Sequence, residues 1–346
     1  MRQEITDYQN YPGAHCGSVA MRGLLSHYTG LELPEAAVFG LGAGVASVLL
    51  VTPGLETRMT LFGRTISMEV DLARHLGVDY REQTEEDDDR AWEIVREEIV
   101  AGRPTMLSGD ILYLDYREYK VHFPGHRFVL LGFDEAAEQV FIADRIRPES
   151  ETCSMGALRK SRNPPGVLST HNLWGRFHSP DVGSELVDAA RDAIATCSSV
   201  MLGLNEPTAG AANSLSVGGS EGPKAHEGVA ATRAFADAIP DWAGAEDGQK
   251  LAGYNASCIE KFGNGGGNFR RLYSGFLGWA RGLDASLVPA TAEAEAWAAA
   301  DAWTETSNAL FKASRDGGEA ASFEEAAGHA RRAADLEETL FTRLAG

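Results

Sequence analysis

The chain has 346 residues, 44% of them hydrophobic and 23% charged, a globular composition long enough for two domains with separate cores. Its formal charge of −19 repels phosphate backbones and anionic lipid, which argues against nucleic-acid or membrane-surface binding and suits a cationic small molecule. The four cysteines, Cys16, Cys153, Cys197 and Cys258, form no C-x-x-C pair and are spaced too widely for a zinc ribbon or a small disulfide scaffold, so reduced thiols in a cytoplasmic protein are expected.

The N-terminal MRQEITDYQNYPG lacks the apolar core of a secretory signal. After the YPG break, residues 17–28 read as an amphipathic helix. The longest apolar run, Val38 to Val51, is interrupted by three glycines and too short to span a bilayer. Its FGLGAG stretch lacks dinucleotide-loop spacing. A second helix is expected over Met68 to Leu76. TEEDDDRAWEIVREEIVAG supplies an acidic helix start, a Trp92, Ile94, Val95, Ile99 face and a stop at Gly102. That acidic run has no histidine beside it, and neither metal nor cofactor is expected. RPTMLSGDILYLDY looks strand-like. HRFVLLGF, the turn DEAAE and QVFIADR form a β-hairpin signal over residues 126–144.

Beyond residue 180 alanine dominates and strand signals vanish. Residues 205–225 predict a mobile loop rich in Gly, Ser, Ala and Pro. Helices follow over Gly228 to Ala238, Phe269 to Arg281, Thr291 to Arg315 and Phe323 to Leu344. The reading is an α+β domain over residues 1–180 and a helical domain over 181–346.

The chemistry centres on Cys16. It opens a helix, where free N–H groups and the helix dipole favour a thiolate. His126 opens the first hairpin strand and Asp144 closes the second. With the turn centred near Ala136, residue 128 lies opposite Asp144 and His126 one diagonal step away, so the carboxylate can orient the imidazole. Thiol, imidazole and carboxylate in this arrangement suit nucleophilic acyl transfer. His122 is a rival base, and His15 suits packing. Gly265, Gly266, Gly267 and Asn268, with Arg270 behind them, precede a helix. They read equally as an anion site, for example for a phosphopantetheine phosphate, or as a tightly packed glycine loop.

The order Cys16, His126, Asp144 resembles papain-like cysteine enzymes. More closely, HCGSVAMRGLL, VFGLGAG, YLDY, HFPGHRFVLLGFD and VFIADR resemble the butirosin biosynthesis protein H family, and EKFGNGGGNFRRLY resembles its helical domain. The resemblance implies a papain-like fold followed by an α-helical domain that completes the substrate site. It also implies transfer of an (amino)acyl group from an acyl carrier protein, through a Cys16 thioester, to an amine-bearing small molecule in natural-product biosynthesis. His126 would act as base. The side-chain amide that papain-like enzymes place about six residues before the nucleophile falls on Asn10 or its neighbour Gln9, as an oxyanion donor. A hydrolase with the same triad is the alternative, because both reactions pass through one acyl-enzyme. Carrier proteins are themselves acidic, so docking calls for a local basic patch: Arg270 with Arg271, or Arg159, Lys160 and Arg162.

Overall fold

The computed structural model describes residues 1–51, 57–123, 125–164, 169–204 and 224–346. They form two compact units. One comprises Met1–Val38 with Leu76–Gly183, the other Phe39–His75 with Ser184–Gly346. A single cut after residue 180 therefore misplaces one segment. The reason lies in β2 (Val45–Val51), whose sequence VASVLLV is buried on both faces. Such a strand needs cover on each side. It pairs with β3 (Met59–Arg64) and, on its other edge, with β10 (Lys224–Glu227). That strand lies beyond the point where strand signals were expected to end. KAHE has little strand propensity of its own and is ordered by the edge of β2. Residues 205–223 of the expected loop lie outside the described residues.

The first unit is built on a seven-stranded antiparallel sheet. Its path is β4 (Tyr80–Gln83), β9 (Trp174–Phe177), β5 (Thr105–Gly109), β6 (His126–Asp134), β7 (Gln139–Ala143) and β8 (Glu151–Ser154), with β1 (Arg2–Glu4) on β6. β6 carries the layer. Its first half pairs with β5 and its last three residues with β1. Gly132 is required there, since a Cβ would run into the backbone of Gln3 and Glu4. Phe128, Leu130, Phe133 and Ile142 on the sheet pack with Val95 and Ile99 from α4 (Asp88–Val100) and Leu158 from α5 (Met155–Arg162). The strand expected through RPTMLSGDILYLDY stops at Gly109. Asp110 accepts from the Leu112 N–H at 3.1 Å and starts a short 3-10 turn instead.

α1 (Cys16–Thr29) lies against this sheet, contacting β6, β5 and β9. It ends at Gly30, whose left-handed φ of 72° lets its N–H close on Ser26. α2 (Glu35–Leu41) follows.

In the second unit, α3 (Met68–Leu76) is followed by α6 (Leu186–Met201), α7 (Gly228–Ala238), α8 (Gly248–Glu260), α9 (Arg270–Leu283), α10 (Ala292–Ala313) and α11 (Ala320–Ala345). Leu49 and Leu61 of the small sheet pack with Phe235, Trp242, Trp303 and Phe323. Ala299, Ala300, Ala326, Ala330 and Ala333 are fully buried. Small side chains at such positions let helix axes approach closely. No helix among the described residues is long and apolar enough to cross a membrane.

Candidate active site

The loop before Cys16 is held from three directions. The Glu35 carboxylate accepts the N–H groups of Ala14 at 3.0 Å and His15 at 2.7 Å. Gly13 donates its N–H to the carbonyl of Arg145 at 2.9 Å, and a Cβ at Gly13 would collide with the Glu35 carboxylate. His15 then caps α1. Its Nδ1 accepts from the Ser18 N–H at 3.2 Å and lies 2.7 Å from the Ser18 hydroxyl. This is a local, structural use of a buried histidine, and it fixes the first helical turn on which Cys16 sits. Cys16 is 7% exposed. By position, its neighbour Gly17 carries one of the first-turn N–H groups that have no partner within a helix.

His126 and Asp144 come from the β6–β7 hairpin. Val129 pairs with Ala143, which sets Asp144 opposite Phe128 and diagonal to His126. The turn occupies residues 135–138, and a bulge between Leu130 and Gly132 keeps the two chain ends in this register. His126 Nε2 lies 3.1 Å from Asp144 Oδ1, off the line that a well-aligned hydrogen bond needs. The imidazole is also hydrogen-bonded to the Cys16 side chain. Since Nε2 faces the carboxylate, Nδ1 is the ring nitrogen left for sulfur. The structure thus brings Cys16, His126 and Asp144 together in one buried cluster.

The electrostatics favour an ion pair. Burial acts to lower the His126 pKa, but the Asp144 carboxylate and the hydrogen-bonded Cys16 outweigh it, and the imidazole is pushed up to about 10. For Asp144 burial acts upward. The His126 charge, the Arg145 N–H at 2.7 Å and the Tyr116 hydroxyl at 3.0 Å outweigh it and hold the carboxyl below its usual range. Tyr116 is a residue that motif reading passed over. It lies in the YLDY segment, but nothing local in that segment says that its hydroxyl meets Asp144.

Asn10 is where the structure corrects the sequence. It is buried, and its side-chain amide donates to the carbonyls of Asp144 at 2.6 Å and Arg147 at 2.8 Å. Both amide hydrogens are engaged, so Asn10 is not an oxyanion donor in this arrangement; it anchors the backbone of the acid. Gln9 is exposed.

The glycine loop is corrected too. Gly265, Gly266 and Gly267 all have positive φ, as does Asn268. The donors that an anion would need are occupied: the Gly266 N–H by Asn264 at 2.8 Å and the Gly267 N–H by the Glu260 carboxylate at 2.9 Å. Arg270, 1% exposed, donates to Glu337 at 2.6 Å, Gly63 at 2.9 Å, Asn268 at 2.7 Å and Ser47 at 2.8 Å. The loop is a packing turn around a buried ion pair, and a carboxylate stands where a phosphate would have to be.

The basic patches thin out in the same way. Arg271 pairs with Glu260, and Arg159 with Asp89. Arg162 is buried, donates to the carbonyls of Ala91 and Asn172, and is pushed down to about 10 by desolvation. His122 is half-exposed and sits 2.6 Å from the buried Asp110, not in the Cys16 cluster. Cys153, Cys197 and Cys258 are free thiols, each pushed up to about 12 by burial first of all. Among the described residues no group of three or more His, Cys, Asp or Glu side chains could hold a metal.

Fold and site together define an α+β protein with a buried thiol–imidazole–carboxylate cluster at a helix start, followed by a helical region. Residues 15–145 match the family described as butirosin biosynthesis protein H, N-terminal, and residues 156–344 match the domain of unknown function DUF4872. The chain belongs to the butirosin biosynthesis protein H-like family, and in it the first of these domains precedes the second. No curated protein matches it.

Proposed function

We propose that the protein is a cysteine acyltransferase of natural-product biosynthesis, with a papain-like arrangement in its first unit. The observation that carries this reading is the cluster in which Cys16 contacts an imidazole that Asp144 keeps charged. The family name, with its link to butirosin biosynthesis, supports a synthetic rather than degradative role.

The steps follow from the residues. The Cys16 sulfur, its proton held on His126, attacks the carbonyl of an (amino)acyl thioester on a carrier protein. The oxyanion forms against the N–H groups that open α1; one such donor is worth roughly 3 kcal/mol in the transition state. The tetrahedral adduct collapses, the carrier thiol leaves, and it takes the proton from His126. An amine then attacks the Cys16 thioester and gives its proton to His126. Collapse forms the amide and returns the thiolate. The acceptor is a cationic amine-bearing small molecule, in keeping with the charge of −19.

Partition of the acyl-enzyme tests transfer against hydrolysis. Preformed acyl-Cys16 protein, mixed with a panel of polyamine acceptors, should discharge faster than in buffer and yield amide. Discharge at the buffer rate, giving free acid with every amine, would replace transfer with hydrolysis.

A further inference from the structure

Three guanidinium groups gather at the acid end of the cluster. Arg117 follows Tyr116, and Arg145 and Arg147 follow Asp144 in the chain. Arg117 and Arg147 share one carboxylate, meeting Glu151 Oε1 at 2.6 and 3.0 Å. Asp144 is matched by His126. Arg145 forms no ion pair among the described residues. Its Nη1 donates to the carbonyl of Ala14 at 3.2 Å, two residues before the nucleophile.

The Arg145 backbone is fixed as well. Its N–H donates to Asp144 at 2.7 Å and its carbonyl accepts from Gly13 at 2.9 Å. The Cys16 loop and the arginine therefore cannot drift apart. Burial first, then the charges of Asp144, Arg117, Arg145 and Cys16, act on the Tyr119 hydroxyl, so each of the four lies within electrostatic range of it. In a chain with 50 acidic against 31 basic residues, an arginine without a carboxylate beside a buried nucleophile is a position where an external anion would complete the charge pattern.

We infer that Arg145, backed by Arg117 and Arg147, binds an anionic group of the acyl donor and so sets the donor's register on Cys16. The group is a phosphate or a carboxylate, since a guanidinium fork takes either. The inference rests on the acyltransferase reading and names its donor subsite.

Three donors separate the possibilities. One is a neutral acyl group on N-acetylcysteamine. The second is the same acyl group on 4′-phosphopantetheine. The third is an acyl group bearing a free carboxylate on N-acetylcysteamine. Acylation of Cys16 is followed by intact mass for wild type, Arg145→Gln and Arg145→Lys. Wild type should prefer one anionic donor over the neutral one. Arg145→Gln should shrink that preference about tenfold or more, in line with losing one charge-assisted hydrogen bond, and Arg145→Lys should restore part of it. The donor whose preference collapses identifies the anion as phosphate or carboxylate. Equal loss with all three donors would make Arg145 a structural tether only, and unchanged ratios, or no anionic preference in wild type, would also overturn the inference. Wild type that takes no acyl group from any of the three fails the acyltransferase reading instead, which is a different result.

Discussion

Asn10 and Asp144 stand 134 positions apart, yet the side-chain amide of the first donates to the backbone carbonyl of the second at 2.6 Å. With the parallel bond to Arg147 at 2.8 Å, this bond ties the N-terminal loop to the end of β7. Asn10→Ala should leave two carbonyls without their donor and cost about 1–3 kcal/mol of stability. Activity should fall with it, through misplacement of Asp144. Asn10→Asp should not rescue, because a carboxylate accepts where a donor is needed. Urea unfolding alongside turnover checks this. A variant with full stability and a collapsed kcat would mean that Asn10 acts on the oxyanion after all.

Tyr116→Phe removes the hydroxyl that donates to Asp144 at 3.0 Å. Asp144 stays ionised, because His126 and the Arg145 N–H still hold its carboxyl low, but it loses a donor that competes for its charge, and its hold on the imidazolium tightens. The pKa of His126 should rise, moving the alkaline limb of the activity profile to higher pH, while KM for a thioester mimic stays near its wild-type value. An NMR titration of His126 reads the shift directly. An unchanged His126 titration would reduce Tyr116 to a packing residue.

Linkage fixes how stability varies with pH. His126 is held up to about 10 from an ordinary 6.5, by Asp144 and Cys16 acting against burial. Its contribution is fully present below the unfolded value and is lost as pH rises through about 10. Asp144 runs in the opposite sense. Held below its ordinary 3.8, it contributes above that value, and the contribution is lost as pH falls through the lowered one. The stability gap between wild type and His126→Gln should therefore be widest between about pH 4 and 6.5 and narrow toward pH 10. A gap that widens with alkali would contradict a charged His126 in the folded protein.

Glu337 supports the second unit. It accepts from Arg270 at 2.6 Å and from the Trp303 indole at 2.6 Å, and it is fully buried. Glu337→Ala should leave an unpaired guanidinium in the core and cost about 3–5 kcal/mol. Added phosphate should not restore the loss, because the Glu260 carboxylate lies at the glycine loop. Thermal unfolding with and without phosphate tests both statements.

Much of the cluster was legible because hairpin register is local. A turn centred near Ala136 puts residue 128 opposite Asp144; the turn over 135–138 is centred half a residue later, and the bulge between Leu130 and Gly132 restores that register, with Val129 paired to Ala143. The ends of α3 and α7 were legible for the same reason, from periodicity and from the breakers Gly77 and Pro240 just beyond them. Asn10 was not, because the carbonyls it meets come within reach only when the loop folds onto β7. Arg270 looked available for an anion because its acceptors are distant in sequence: Glu337 is 67 positions away and Ser47 223. The segment Phe39–His75 misled for a related reason. β2 is apolar on both faces, and no local pattern says which later stretch will cover it.

The most direct measurement is the mass of the intact protein after brief incubation with an acyl thioester, on wild type, Cys16→Ala, His126→Ala and His122→Ala. A single acyl adduct on wild type, mapped to Cys16, is expected. It should be absent in Cys16→Ala, slowed by several orders of magnitude in His126→Ala, and nearly unchanged in His122→Ala, whose imidazole is turned to Asp110 at 2.6 Å. An adduct that persists in Cys16→Ala, or that maps to Cys153, Cys197 or Cys258, would contradict the assignment of Cys16 as the nucleophile.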